Sequence, residues 1–121
     1  MSQSIGRVDG LVVRFQIQSA NGQSAEVDLD TGFTGQLALD PATLNRLGFE
    51  GPVASASVEL GDGTRVEVPV YQSQLLWFGT TIDVHALLTS ATDGTLGMAL
   101  LSNKVIHVDM RTCEAYLDES Q

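Results

Sequence analysis

The sequence predicts an all-β chain, a small β-barrel or sandwich with one or two short helices. Three observations lead there. Short runs rich in β-formers recur along the whole chain, glycine-bearing turns separate them, and the one clear helix signal is brief.

Val8 to Gln18 contains Val8, Val12, Val13, Phe15 and Ile17 and reads as the first strand. Asn21-Gly22 is a hairpin turn, because both residues tolerate the positive φ that tight hairpins need, and Ala25 to Leu29 returns as the second strand. Asp40-Pro41 opens the helix. Asp stands at the N-cap and Pro at the first helical position, Leu44 and Leu47 lie inside, and Gly48 ends it. Ala54 to Leu60 and Arg65 to Tyr71 flank Gly61-Asp62-Gly63-Thr64, a second hairpin with a flexible tip. The chain continues extended to Phe78, turns at Gly79-Thr80 and returns through Ile82, Val84 and Ala86 to Leu88. Asp93-Gly94 reads as a turn and Met98 to Leu101 as a short helical turn broken by Ser102-Asn103. Lys104 to Met110 and Ala115 to Leu117 close the chain as a last hairpin. With no linker, repeat or low-complexity tract, residues 1–121 read as one domain.

A chain of 121 residues buries roughly two-thirds of the surface it exposes when unfolded, so no disulfide or metal staple is needed. Hydrophobic residues make up 43% and charged residues 17%, a globular mixture. Fifteen acids against six bases give a formal charge of −9, and no Lys/Arg cluster offsets it. That excludes nucleic acid and anionic membrane as main partners. The single Cys113 has no intramolecular partner, which fits a reducing cytoplasm, and the start Met1-Ser2-Gln3-Ser4-Ile5 lacks the pattern of a secretory signal. Leu75-Leu76-Trp77-Phe78, the densest apolar stretch, is too short to cross a bilayer.

Chemistry is concentrated in Val27-Asp28-Leu29-Asp30-Thr31-Gly32-Phe33-Thr34-Gly35, where a strand runs directly into Asp-Thr-Gly and a further glycine follows. By itself the tripeptide is an ordinary strand-ending turn. Its surroundings add meaning. Some sixty residues on, after the second hairpin, Leu96-Gly97 leads into the short apolar run Met98-Ala99-Leu100-Leu101.

That order of hairpin, Asp-Thr-Gly, hairpin, strand, apolar–Gly, short helix and terminal strand resembles the retropepsin-like aspartic proteases of clan AA, in their small bacterial single-domain form. The resemblance spans nearly the whole chain. It implies a small β-barrel that is half of a symmetric dimeric aspartic protease acting on polypeptides, with no cofactor and no metal. Asp30 would be the catalytic aspartate, Thr31 would bond across to the partner copy, and Gly32 would let the backbone pass its twin at the two-fold axis. Gly97 would lie under the catalytic loop, where a side chain would collide. The hairpin tip with Gly61, Asp62 and Gly63 would be a flap over the bound peptide.

The physical logic agrees with this. Hydrolysis of a peptide without metal or covalent nucleophile needs an acid and a base together, and two aspartates about 3 Å apart share one proton and supply both. Asp-Thr-Gly occurs once, whereas Asp62-Gly63-Thr64 and Asp93-Gly94-Thr95 have the reversed order and read as turns. Catalysis therefore requires a second copy, and a homodimer brings Asp30 beside its symmetry mate.

Three residues depart from the family pattern. Phe33 stands where a small residue is usual, Thr95 replaces an apolar residue before Leu96-Gly97, and Asp62 puts an acid in the flap tip. Asp28 is a fourth. Strand alternation puts it on the same face as Asp30, where it would favour basic substrate side chains and raise the dyad's pKa, or else reach solvent. Phe33 and Asp28 thus join the expected substrate-binding residues. His85 and His107 have no metal-ligand spacing around them and read as strand surface residues. Cys113 reads as an inert thiol, and Trp77 and Phe78 as core or dimer-contact residues. Two functions from different classes remain: an aspartic endopeptidase, and a catalytically silent dimerisation or peptide-binding domain on the same fold. A narrower form of the first would process a single partner.

Overall fold

The computed structural model describes residues 3–119. Its elements are β1 (Gln3–Asp9), β2 (Val12–Ser19), β3 (Ser24–Leu29), β4 (Leu37–Leu39), α1 (Pro41–Arg46) and β5 (Glu50–Glu59). After them come β6 (Arg65–Trp77), β7 (Thr80–Leu88), β8 (Gly94–Leu96), β9 (Lys104–Asp109) and β10 (Glu114–Glu119).

Strand β2 makes this set of strands a barrel. Near its start it pairs with β1, Val12 opposite Asp9 and Phe15 opposite Gly6. At its end Gln18 and Ser19 pair instead with Leu76 and Leu75 of β6. The change of neighbour closes a ring in the order β6-β7-β4-β8-β3-β2. The fold is an all-β barrel, as the recurring β-rich runs predict, and six of its strands close the ring. Two additions stand outside the ring. β5 lengthens β6 into a long hairpin, and β1, β10 and β9 carry the sheet on from β2.

Alternation explains which residues fill the barrel. On β2, Phe15 and Ile17 are buried while Gln16 and Gln18 face solvent. Val27 of β3, Leu37 and Leu39 of β4, Leu75 and Trp77 of β6, Val84 and Ala86 of β7 and Leu96 of β8 join the same core. Leu44, Leu47 and Phe49, in and just after α1, pack into it as well. The parallel pairs β3–β8 and β4–β7 need long crossovers, which the excursions through α1 and the β5–β6 hairpin provide.

The structure corrects several sequence expectations. Val8 to Gln18 is not one strand. Gly10, at φ 64°, turns the chain between β1 and β2, and an almost fully exposed Leu11 at that turn made the apolar run look continuous. Leu37–Leu39 is a strand the sequence did not announce. Gly94 is not a turn residue but the first residue of β8. A Cβ there would lie 2.8 Å from Leu39 Cδ2 and 2.9 Å from Val27 Cγ1, so glycine lets β8 fit between β3 and β4. Met98 to Leu101 forms two overlapping turns rather than a helix, with the N–H groups of Leu100 and Leu101 donating to Gly97 and Met98 carbonyls. Among the described residues α1 is the one helix. Asp40 occupies its N-cap position, but its side chain makes no capping bond.

At the lower edge of the barrel, Phe78 packs edge-on against Trp77 with ring centres 5.0 Å apart, and Lys104 Nζ lies 4.8 Å above the Phe78 ring. This ties the start of β9 to the end of β6.

Candidate active site

Asp30 leaves β3 for a turn, yet its main chain remains fastened to the barrel. The Asp30 N–H donates to the Leu96 carbonyl of β8 at 3.0 Å. The carboxylate Oδ1 accepts the Gly32 N–H at 2.9 Å, and the Phe33 N–H donates back to the Asp30 carbonyl at 3.2 Å. A short side chain bonding two residues ahead is the Asx-turn geometry, and it sets the direction of the other carboxylate oxygen. Asp30, Thr31 and Gly32 are all exposed.

The segment after β8 supports this loop from below. Gly97, Met98 and Ala99 donate their N–H groups to the carbonyls of Gln36 (2.9 Å), Phe33 (2.8 Å) and Gly35 (3.2 Å). Gly97 is buried in the contact. A Cβ there would lie well inside van der Waals distance of the Gly35 carbonyl and 2.6 Å from Phe33 Cδ2. A Cβ at Gly35 would meet the same ring, 2.6 Å from Cζ. The bulk of Phe33 is thus accommodated by two glycines, one on each supporting strand of chain.

Asp30 opens onto a groove of about 930 Å³. Its floor is the loop from Gly32 to Leu37, one wall is the hairpin arm Ala56 to Glu59, and His85 and Leu87 of β7 complete it with Ala99. The tip residues Gly61, Asp62 and Gly63 lie beyond the groove. No neighbouring atom falls within 4 Å of a Cβ built at Gly61 or Gly63. Asp62 Oδ1 accepts the Thr64 N–H at 2.9 Å, and this bond holds its carboxyl below the usual range.

Asp28 is not brought to the groove. It pairs with Arg14, Nε to Oδ1 3.3 Å, on the outer face of β2 and β3. Arg7 lies nearby and makes two bonds of 2.9 Å to Glu26, which lower the Glu26 pKa. Burial pushes the Asp28 carboxyl up, Arg14 opposes this, and the charges of Asp93, Glu26 and Asp9 add to the rise.

Compared by sequence, the chain matches no family model and no curated protein. Compared by structure, it is similar to a retropepsin-like aspartic protease from Rickettsia conorii. The TM-score is 0.65 at 15% identity, over 95% of this chain and 89% of that one. The fold is retropepsin-like. In this retropepsin-like barrel the Asp-Thr-Gly loop, the Gly97 segment and one arm of the long hairpin surround a single groove.

Sequence reasoning did not assign Thr34, Gln36, Ser57, Glu59 or His85 to this groove. Alternation along β7 is the signal for His85: Val84 and Ala86 face the core, so His85 and Leu87 face out together. His107, by contrast, stacks on Tyr116 with ring centres 4.2 Å apart on the terminal hairpin. Cys113 is exposed in the turn between β9 and β10. Among the described residues no cluster of three or more His, Cys, Asp or Glu is placed to hold a metal ion, and no helix is long and apolar enough to cross a membrane.

Proposed function

We propose that this chain is an aspartic endopeptidase that works as a homodimer, with Asp30 and its symmetry mate as the catalytic dyad. The observation that carries the reading is the placement of Asp30. An exposed carboxylate, oriented by the Gly32 N–H, faces a peptide-sized groove walled on one side by a hairpin arm, and among the described residues no cation pairs with it.

One ionised carboxylate of the dyad removes a proton from water as its oxygen attacks the scissile carbonyl. The protonated mate gives its proton to the carbonyl oxygen, producing a neutral gem-diol. Collapse of that intermediate transfers a proton to the leaving nitrogen and breaks the C–N bond. Two close carboxylates hold the required single proton because both cannot ionise together, as in aspartic proteases generally. Thr31 and Gly32, exposed beside Asp30, form the contact with the second copy. The tip at Gly61, Asp62 and Gly63 closes over the peptide, and the aromatic ring of Phe33 shapes the groove next to the acid.

The test is cleavage of a peptide mixture between pH 3 and 7 by the protein and by Asp30→Asn. Asparagine keeps the oxygen that accepts the Gly32 N–H, so the loop is preserved while the proton chemistry is lost. The variant should be slower by roughly 10²–10⁴-fold, the usual size of a general acid–base contribution. A statine-type mimic should inhibit the parent, and chelators and thiol reagents should not. Equal activity in the variant overturns the reading. Peptide binding without cleavage in both would favour a catalytically silent binding domain.

A further inference from the structure

We propose that His85 and Gln36 form a subsite that selects an acidic side chain in the bound peptide, an inference that rests on the endopeptidase reading of the same groove. Both residues line the groove that Asp30 opens onto. His85 is exposed, and it points outward because its neighbours Val84 and Ala86 are committed to the barrel interior.

Gln36 is pinned at both ends. Its backbone carbonyl accepts the Gly97 N–H at 2.9 Å, and its side-chain Oε1 accepts the main-chain N–H of His85 at 2.7 Å. With the amide oxygen occupied, the two Nε2 hydrogens remain as donors. The imidazole of His85 adds an N–H donor when neutral and a positive charge when doubly protonated. The groove lining therefore carries two donor groups, one on β7 and one on the segment that leads into β4, joined by the His85–Gln36 bond.

The charges around them sharpen the choice of ligand. Asp30 and Glu59 also line the groove, and both are acids. Asp83, two residues along the same strand, accepts the Gln74 Nε2–H at 3.1 Å. Glu50 pairs in register with Gln72, which itself pairs with His85. A peptide carboxylate placed near Asp30 or Glu59 meets like charge, and the whole chain carries −9. Thr34 and Ser57 offer that carboxylate single hydroxyls, whereas His85 and Gln36 offer an amide and the one imidazole in the lining, which alone there can carry positive charge. Repulsion elsewhere and attraction here act together, so an acidic residue sets which peptide bond comes to rest over Asp30.

The experiment is a positional scan of fluorescein-labelled peptides that differ only in Glu or Gln at one position. It is read in two ways: cleavage by the parent protein, and binding to the Asp30→Asn protein, which leaves the peptide intact. At one position Glu should exceed Gln by roughly five- to tenfold, the size expected for a charge-assisted hydrogen bond at a partly solvated site. His85→Gln should bring that ratio close to one, and His85→Lys should retain it. Glu59→Gln should raise it, because a repelling carboxylate is gone. A Glu/Gln ratio near one in the parent, or one unchanged by His85→Gln, overturns the subsite. If no peptide is cut but the binding ratio follows this pattern, the subsite stands and the endopeptidase reading fails.

Discussion

At the scale of single residues, Asp28 shows how far strand periodicity carries and where it stops. Alternation along β3 puts Asp28 and Asp30 on one side, but Asp30 has already left the strand, so parity no longer relates their directions. Arg14 of β2, directly opposite Asp28 in register, captures the carboxylate on the outer face. Nothing in the local sequence around Asp28 announces a partner fourteen residues upstream, because pairing depends on hairpin register. His85 is the opposite case: it stands on the strand surface as its period predicts, but the groove it faces is assembled from four separate segments and was not legible. Asp28 also leaves a measurable trace. Its pKa is raised in the folded protein, mainly by burial, so the folded state holds its proton at pH values where the unfolded chain has released it. Folded then binds more protons than unfolded from about 3.8 upward to the raised value, and stability falls as pH rises through that window. Urea unfolding of the parent and Asp28→Asn should show the parent losing ground relative to the variant between pH 4 and pH 7. A difference that stays constant with pH would refute the coupling.

At the scale of elements, the β5–β6 hairpin was readable from sequence because its signals are local: two β-rich runs around Gly61-Asp62-Gly63-Thr64. The Leu60 and Gly63 N–H groups close the tip, donating to Thr64 and Leu60 carbonyls at 2.7 and 2.9 Å. β4 and β8 were not readable, since each is three residues long and owes its existence to neighbours distant in sequence. The Asp93-Gly94 pair misled because glycine serves equally for a turn and for close packing, and packing is what Gly94 does. The hairpin arm lines the groove while its tip stands clear of other atoms, so the tip is free to move against a fixed wall. Amide exchange at Gly61 and Asp62 should be fast in the free protein and slow when a statine-type mimic is bound. Slow exchange at the tip of the free protein would count against a closing flap.

At the scale of the whole molecule, the sequence disclosed the barrel class and the order of motifs, but not closure. The ring depends on β2 changing partners midway, and neither half of β2 carries a residue that marks the change. The proposed endopeptidase reading requires a second copy at this scale. One Asp-Thr-Gly per chain predicts a dimer at micromolar concentration, with Asp30, Thr31 and Gly32 at the contact, and sedimentation equilibrium should return twice the chain mass. A monomer mass there, together with full peptidase activity, would be incompatible with a shared dyad.

The place where β2 meets β6 has a kinetic meaning as well. Gln18 pairs with Leu76 and Ser19 with Leu75 across it, and the Ala20 N–H donates to the Gln74 carbonyl at 2.9 Å, although the paired residues lie more than fifty positions apart in the chain. Contacts that close so large a loop are costly to form early, so this join is expected to zip up after the hairpins on either side. Buried Ser19 locks it: its hydroxyl lies 2.5 Å from the Leu47 carbonyl and 3.3 Å from that of Gln74. Ser19→Ala leaves the Leu47 carbonyl with only the longer bond from Ser73 Oγ, at 3.4 Å, and should cost about 0.5–1.5 kcal/mol. In stopped-flow refolding and unfolding, nearly all of that loss should appear as faster unfolding, with the folding rate almost unchanged. A join that forms last is also the first to part, so the lifetime of the intact barrel is set at Ser19, on the opposite side of β2 from any chemistry at Asp30.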